Sequence, residues 1–210
     1  MSEYLKIIKE IISDSPPRKF KESIELAVNL KDIDLSIPKN RIEEEVVLPK
    51  GRGYHQKVVV FATSEMALKA KDIADLIVRE EEIDDMADDR REARKVANNH
   101  AFFLAEAPLM PLIGKKLGIV LGPRGKMPKP LPPGMDPTGR INSLRDTVKM
   151  RSKDKRTFHV AIGTRDMTPE DLTENLEAII KRILTRLERG KQNIASAYVK
   201  TSMGPARRIM

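Results

Sequence analysis

Residues Thr168-Pro169-Glu170-Asp171 set an N-cap threonine, a proline at the first helical position and an acid three residues on, the order in which helices start. Leu172, Leu176, Ile179, Ile180, Ile183 and Leu187 follow at three- and four-residue spacing until Gly190 stops the run. Strands are expected on either side, over 157–162 and 195–200, so the carboxy-terminal third reads β-α-β. One helix and a sheet fragment in about 60 residues bury only a marginal core. The rest of that core has to come from elsewhere in the chain.

The amino-terminal residues have the complementary pieces. Leu5, Ile8, Ile11 and Ile12 predict a short amphipathic helix, and after a Ser-Pro-Pro break Ile24, Leu26, Val28 and Leu30 alternate with Glu25, Ala27 and Asn29 as a strand with one buried face. A second strand is expected over 42–48, closed by Pro49-Lys50-Gly51. From Val58-Val59-Val60-Phe61 onward the texture changes to an unbroken apolar strand of the parallel, doubly covered kind. A helix capped by Ser64 with Met66, Ala67, Ala70, Ile73, Ala74 and Ile77 on one stripe follows it. Further on, a helix is expected over 89–98, strands over 101–105 and 118–121, and a helix leading into a strand over 140–149. The economical reading is a discontinuous α+β domain made of 1–66 with 150–210, and an inserted α/β domain over 67–149. Two crossings near 62–66 and 150–156 would act as a hinge.

Charge points to a polyanion. The chain carries a formal +8, distributed as +1 over 1–61, +2 over 62–151 and +5 over 152–210. With no Cys, disulfides, zinc-cysteine clusters and thiol chemistry are excluded. His55, His100 and His159 stand far apart without metal-ligand spacing, and no catalytic constellation is visible, so neither metal nor cofactor is expected. The first 12 residues lack an apolar block, and no apolar run approaches about 20 residues, so a soluble, untargeted protein of the cytoplasm with no membrane partner is expected. Aromatics are 4% with no Trp, too few for a base-stacking platform. Such a protein would read RNA by shape, phosphate and 2′-hydroxyl contacts.

Two stretches carry most of the remaining signal. "LGPRGKMPKPLPPG" (121–134) has glycines and a lysine after an expected strand, but Met127 replaces the hydroxyl of a phosphate loop and Pro123 and Pro128 remove backbone donors. It reads as a rigid surface loop, or as a basic contact through Arg124, Lys126 and Lys129. The acidic run in 79–94 reads as a solvated loop and helix start that nucleic acid would avoid. The β/α middle leaves a nucleotide-binding enzyme open as the alternative, and a protein-interaction module as a third reading.

"KFKESIEL" (19–26), "VVLPKG" (46–51), "LGPRGKMPKPLPP" (121–133), "HVAIGT" (159–164) and "TSMGP" (201–205), in that order, resemble the ribosomal protein L-one family of the large subunit, in its archaeal branch, over essentially the whole chain. The resemblance implies a Rossmann-like, three-layer α/β insert, a flexible hinge and no enzymatic activity. It implies binding to the rRNA of the mobile stalk beside the tRNA exit site, assistance in releasing deacylated tRNA, and repression of translation by binding the protein's own mRNA. Ribosome-bound, it would meet exit-site tRNA; free, it would be a monomer. The family's RNA contacts carry over to Lys19, Phe20, Ser23 and Glu25, to His159 and Gly163, and to Thr201, Ser202, Met203 and Gly204. Thr164 stands where bacterial relatives have Lys, with Arg165 as the substitute cation.

Overall fold

The computed structural model describes residues 3–210. The amino-terminal part gives α1 (Glu3–Asp14), β1 (Ser23–Leu30) and β2 (Glu43–Val47). The middle gives β3 (Val58–Ala62), α2 (Ser64–Ala70), β4 (Leu76–Arg79), α3 (Glu80–Asp88), α4 (Arg90–Asn99), β5 (Phe102–Glu106), α5 (Met110–Leu121), β6 (Lys129–Leu131) and α6 (Thr138–Arg145). The last part gives β7 (Thr147–Arg151), β8 (Thr157–Thr164), α7 (Pro169–Arg186), β9 (Ile194–Thr201) and β10 (Arg207–Arg208). These elements divide into two units, 1–54 with 146–210 and 55–145. The sequence reading put the changeovers at 66/67 and 149/150; in the structure β3 lies with the insert because its parallel partners are there, and β7 with the terminal unit because it pairs with β2.

In the terminal unit, β1 lies between β9 and β8 in an antiparallel sheet ordered β10-β9-β1-β8. Its alternation works as the sequence reading expects: Ile24, Leu26, Val28 and Leu30 are buried. They share one core with Ile8 and Ile11 of α1 and with Leu172, Leu176, Ile179, Ile180 and Ile183 of α7. The two chain ends thus complete each other's core. Thr168 caps α7 by accepting the Asp171 amide at 3.2 Å. Buried Asn175 on α7 ties down the segment after β2: its Oδ1 accepts the Lys50 amide at 3.0 Å, and its Nδ2 donates to the carbonyls of Gly51 and Ile162.

The insert is a parallel sheet ordered β4-β3-β5-β6 between two helical layers. Val59, Phe61, Phe103 and Ala105 face α3, α4 and α5, while Val58, Val60, Ala62 and Leu104 face α2 and α6. This is the three-layer α/β arrangement expected. Two local expectations fail. The stripe 66–77 does not run as one helix; α2 stops at Ala70 and Leu76–Arg79 pairs with β3 as a strand. Residues 118–121 are the last turn of α5 rather than a strand, because Ile113, Leu117, Val120 and Leu121 form one buried helical stripe that begins after Pro111 at the first turn.

The Gly/Pro stretch is knitted into the insert. The Lys126 ammonium donates to the carbonyls of Ala97 (2.6 Å) and His100 (2.7 Å) at the end of α4, and Arg124 donates to Asn98 and the Val120 carbonyl. Burial, reinforced by Arg124, pushes the Lys126 pKa down. These two cations close a helix end, so the rigid-loop reading is the one the geometry supports. Lys129 starts β6 on the sheet edge, where Pro130 costs no central ladder bond.

Candidate nucleic-acid interface

One end of the antiparallel sheet gathers the candidate residues. Ser23 opposes Thr164, and Ile24 opposes both Gly163 and Thr201, so the starts of β1 and the ends of β8 and β9 meet there. The face away from the helices carries Ser23, Glu25, Ala27 and Asn29 on β1, Thr157, His159 and Ala161 on β8, and Ser196, Tyr198 and Lys200 on β9, all partly or fully exposed. The register lines them up in rows: Lys200 beside Glu25 beside Ala161, and Tyr198 beside Ala27 beside His159.

Beneath this end lies a buried polar network. Glu22, 1% exposed, pairs through Oε2 with the Arg165 guanidinium at 3.2 Å and accepts the Met203 amide at Oε1 (3.1 Å). The same guanidinium donates to the carbonyls of Ile12, Ser15 and Pro16. Thr201, 0% exposed, shares a 2.9 Å hydrogen bond with the buried Ser15 hydroxyl and accepts the Gly204 amide at 2.9 Å. Ser202 bonds the first residue of β1 through both its groups, its hydroxyl accepting the Ser23 amide and donating to the Ser23 carbonyl, and its own amide donating to that carbonyl as well. The exit from α1, the entry to β1 and the turn after β9 are therefore fixed as one piece.

What this piece presents is apolar and cationic. Phe20 is 53% exposed and Met203 62%. Lys19 and Arg18 are exposed and Lys200 half-buried, and none of them forms an ion pair among the described residues. Lys21 is engaged by Asp166 (3.0 Å) and the Gly53 carbonyl, and Arg207 by Asp14 (2.6 Å).

Two expected contact residues, Thr201 and Gly163, are buried, and a third, Arg165, is partly exposed with its donors turned inward. Thr201 points inward with its hydroxyl satisfied. Arg165 spends its donors on four protein acceptors and is no substitute for a free lysine. Gly163 is buried because β8 passes close to α7 and the 164–168 turn: a Cβ there would lie 2.5 Å from Leu172 Cδ2 and 2.7 Å from Met167 Sδ. Gly204 is likewise a close-packing position, since a Cβ would run into the Ser15 and Thr201 hydroxyls. Lys19, Phe20, Ser23, Glu25, His159, Ser202 and Met203 remain accessible. Glu22, Ser15, Tyr198 and Lys200 were missed. Extending the two-residue alternation along β9 identifies Tyr198 and Lys200; nothing in the sequence marks Ser15.

The matching place in the insert is acidic. Doubly wound sheets seat nucleotides in the crevice beyond the carboxyl ends of their strands. Here the Glu106 carboxylate at the end of β5 accepts the Thr63 amide (2.9 Å) and hydroxyl (2.7 Å), and a concavity of about 490 Å³ that Thr63 also borders is lined by Ser64, Arg79, Glu80, Glu81 and Asp84. Three carboxylates against one arginine do not suit a phosphate.

The chain matches a family model described as the ribosomal protein L1p/L10e family over residues 8–205. The chain belongs to this family. Its relatives include the large ribosomal subunit protein uL1 of Methanocella arvoryzae, 51% identical over 99% of this chain and 98% of that one. The uL1 of Thermoplasma volcanium is 51% identical over 98% and 95%, and that of Methanosarcina acetivorans 49% identical over 98% and 97%. Membership in the L1p/L10e family makes the chain a structural ribosomal protein rather than an enzyme. Among the described residues no helix is long and apolar enough to cross a membrane.

Proposed function

We propose that the chain is an rRNA-binding protein of the large ribosomal subunit, held on the stalk RNA beside the tRNA exit site by the sheet end built from 18–25 and 200–204. Docked there it assists the release of deacylated exit-site tRNA. Free in the cytoplasm as a monomer, it uses the same surface on its own mRNA and represses translation.

The observation that carries this reading is the pairing of exposed Phe20 and Met203 over a fully buried hydrogen-bonded support. Two large apolar side chains exposed to water favour a partner that covers them, and the hydrogen-bonded backbone that carries Met203 limits the entropy lost on docking. Lys19, Arg18 and Lys200 supply charge for phosphates, while Ser23, Ser202, Glu25 and His159 offer short donors and acceptors suited to 2′-hydroxyls and base edges. Thr201, Gly163 and Arg165 act from below, as supports for the backbone that carries Ser202 and Met203.

A gel-shift panel with the full chain tests it, using a stalk rRNA fragment, an unrelated rRNA hairpin of equal length and the leader of the protein's own mRNA. The stalk fragment should be preferred over the hairpin by about a thousandfold, with the leader competing for the same site. Equal affinity for stalk and hairpin would remove the proposal, and a leader that never competes would remove the repressor part alone.

A further inference from the structure

We infer that the opposite end of the antiparallel sheet is a second RNA-binding surface, one that grips phosphate backbone without reading sequence. Three segments converge there: 31–41 after β1, 152–156 before β8, and 185–193, the end of α7 with its connection to β9. Backbone bonds join them, from the Leu30 amide to the Arg156 carbonyl (2.8 Å) and from the Lys31 amide to the Asn193 carbonyl (2.9 Å). The Asn193 side chain adds bonds to the carbonyls of Lys31 and Asp32, and Arg186 donates to the Lys39 carbonyl.

These loops carry nine lysines and arginines against four carboxylates. Lys31, Lys39, Lys153, Lys155, Arg156, Arg189 and Lys191 are all exposed, and none is paired with a carboxylate among the described residues. On the same unit Lys9–Glu170, Lys50–Asp171, Arg151–Glu43 and Arg207–Asp14 are paired, and the unpaired Arg18, Lys19 and Lys200 stand at the other end of the sheet. Nine cations against four carboxylates leave the three joined loops with an excess of positive charge, and a polyanion relieves that repulsion while releasing its own counterions.

The helix dipole does not account for them. Arg186 and Arg189 sit at the carboxyl end of α7, where cations are favoured, but the other cations come from different loops. Two shallow concavities of about 580 and 710 Å³ share Ile33 and Asp34, and both are charge-balanced: Asp32, Asp34 and Glu188 stand with Lys39, Arg186 and Arg189 in the first, Asp34 and Asp154 with Arg41 and Arg156 in the second. Phosphates would therefore lie on the exposed Lys31, Lys153, Lys155 and Lys191, which line neither concavity. None of the three loops contains an aromatic residue, so there is nothing to stack a base on and the contact is to phosphate and sugar. Being remote along the strands from Phe20 and Met203, this surface does not rest on the reading given above for the other end.

The test uses the full chain and labelled poly-uridine RNA titrated at several salt concentrations. Lys153→Ala/Lys155→Ala/Arg156→Ala/Lys191→Ala should weaken binding at least about tenfold and lower the slope of log K against log salt by nearly three, at about 0.7 per lost phosphate contact. A control removing the same charge from the insert (Lys71→Ala/Arg91→Ala/Arg94→Ala/Lys95→Ala) should change the slope by less than about one. Lys153→Arg/Lys155→Arg/Lys191→Arg, which keeps every charge, should bind as the parent does. Thermal melts check folding, which these exposed positions should leave intact. An unchanged slope in the first variant, or an equal loss in the control, overturns the inference; the latter outcome would mean that only net charge matters.

Discussion

Thr201→Val separates a buried support from a surface contact. Valine keeps the volume and the strand preference and removes one hydroxyl, which in the structure joins the Ser15 hydroxyl and the Gly204 amide, each at 2.9 Å, with no exposure of its own. Ser15 is 2% exposed, so its hydroxyl would be left without a partner at a cost of about 1–3 kcal/mol. The Gly204 amide is half-buried and can recruit water, so it adds little. For a chain of this size that total corresponds to a fall in melting temperature of about 3–10 °C. Denaturant melts and calorimetric titration with a stalk rRNA fragment measure the two consequences separately. Stability should fall by the stated amount, and affinity should fall by less than about tenfold, through loosening of Ser202 and Met203. Ser15→Ala combined with Thr201→Val should cost less than the sum of the two, because both remove the same bond. A variant as stable as the parent that binds RNA a hundredfold more weakly would refute this, and would return the Thr201 hydroxyl to the RNA surface.

Thr164→Val should act in the opposite direction. The Thr164 hydroxyl is buried with no hydrogen-bond partner among the described residues, so its removal should stabilise the protein by about 1 kcal/mol in denaturant melts, and a loss of that size would show that it has one. Asp75 gives a pH-dependent test. Burial works to raise its pKa, but the Val58 amide (2.9 Å), His55 (2.7 Å) and Arg145 together hold the carboxyl below its usual range. Its folded value lies below the unfolded one, so its contribution is complete above the unfolded value and disappears as pH falls through the folded one. The parent should exceed Asp75→Asn by about 1 kcal/mol at pH 7, with the gap shrinking steadily as pH falls below about 4; a gap that shows no decrease with acidification would count against the carboxylate's role.

Much of this was legible because period and burial agree. The alternation in 24–30 and the capped stripe from Thr168 to Leu187 each specify a face, and each face is buried as expected. Failure came where an apolar run is too short to reveal its period. Residues 118–121 look the same as a strand end or as the last turn of a helix, and Pro111 at the start of α5 was the discriminating signal. Ile77 fits the stripe of α2, but its backbone pairs with Val60, and parallel pairing is not encoded locally. At the interface the sequence marks the stretches and cannot say which side chains turn inward. Thr201 and Ser202 are adjacent hydroxyls, yet the two-residue period sends the first toward Ser15 and leaves the second at the rim. Glu22 and Arg165 are 143 residues apart, so their pairing exists only once both chain ends share a sheet.

The central claim is that RNA is bound by the sheet end that displays Phe20 and Met203. Calorimetric titration of a stalk rRNA fragment into Phe20→Ala/Met203→Ala tests it most directly, because both side chains are more than half exposed and their loss should leave the melting temperature within about 2 °C of the parent. Covering what they expose is worth about 2–3 kcal/mol, so the double variant should bind about a hundredfold more weakly. A folded double variant that binds the fragment as tightly as the parent would contradict the claim.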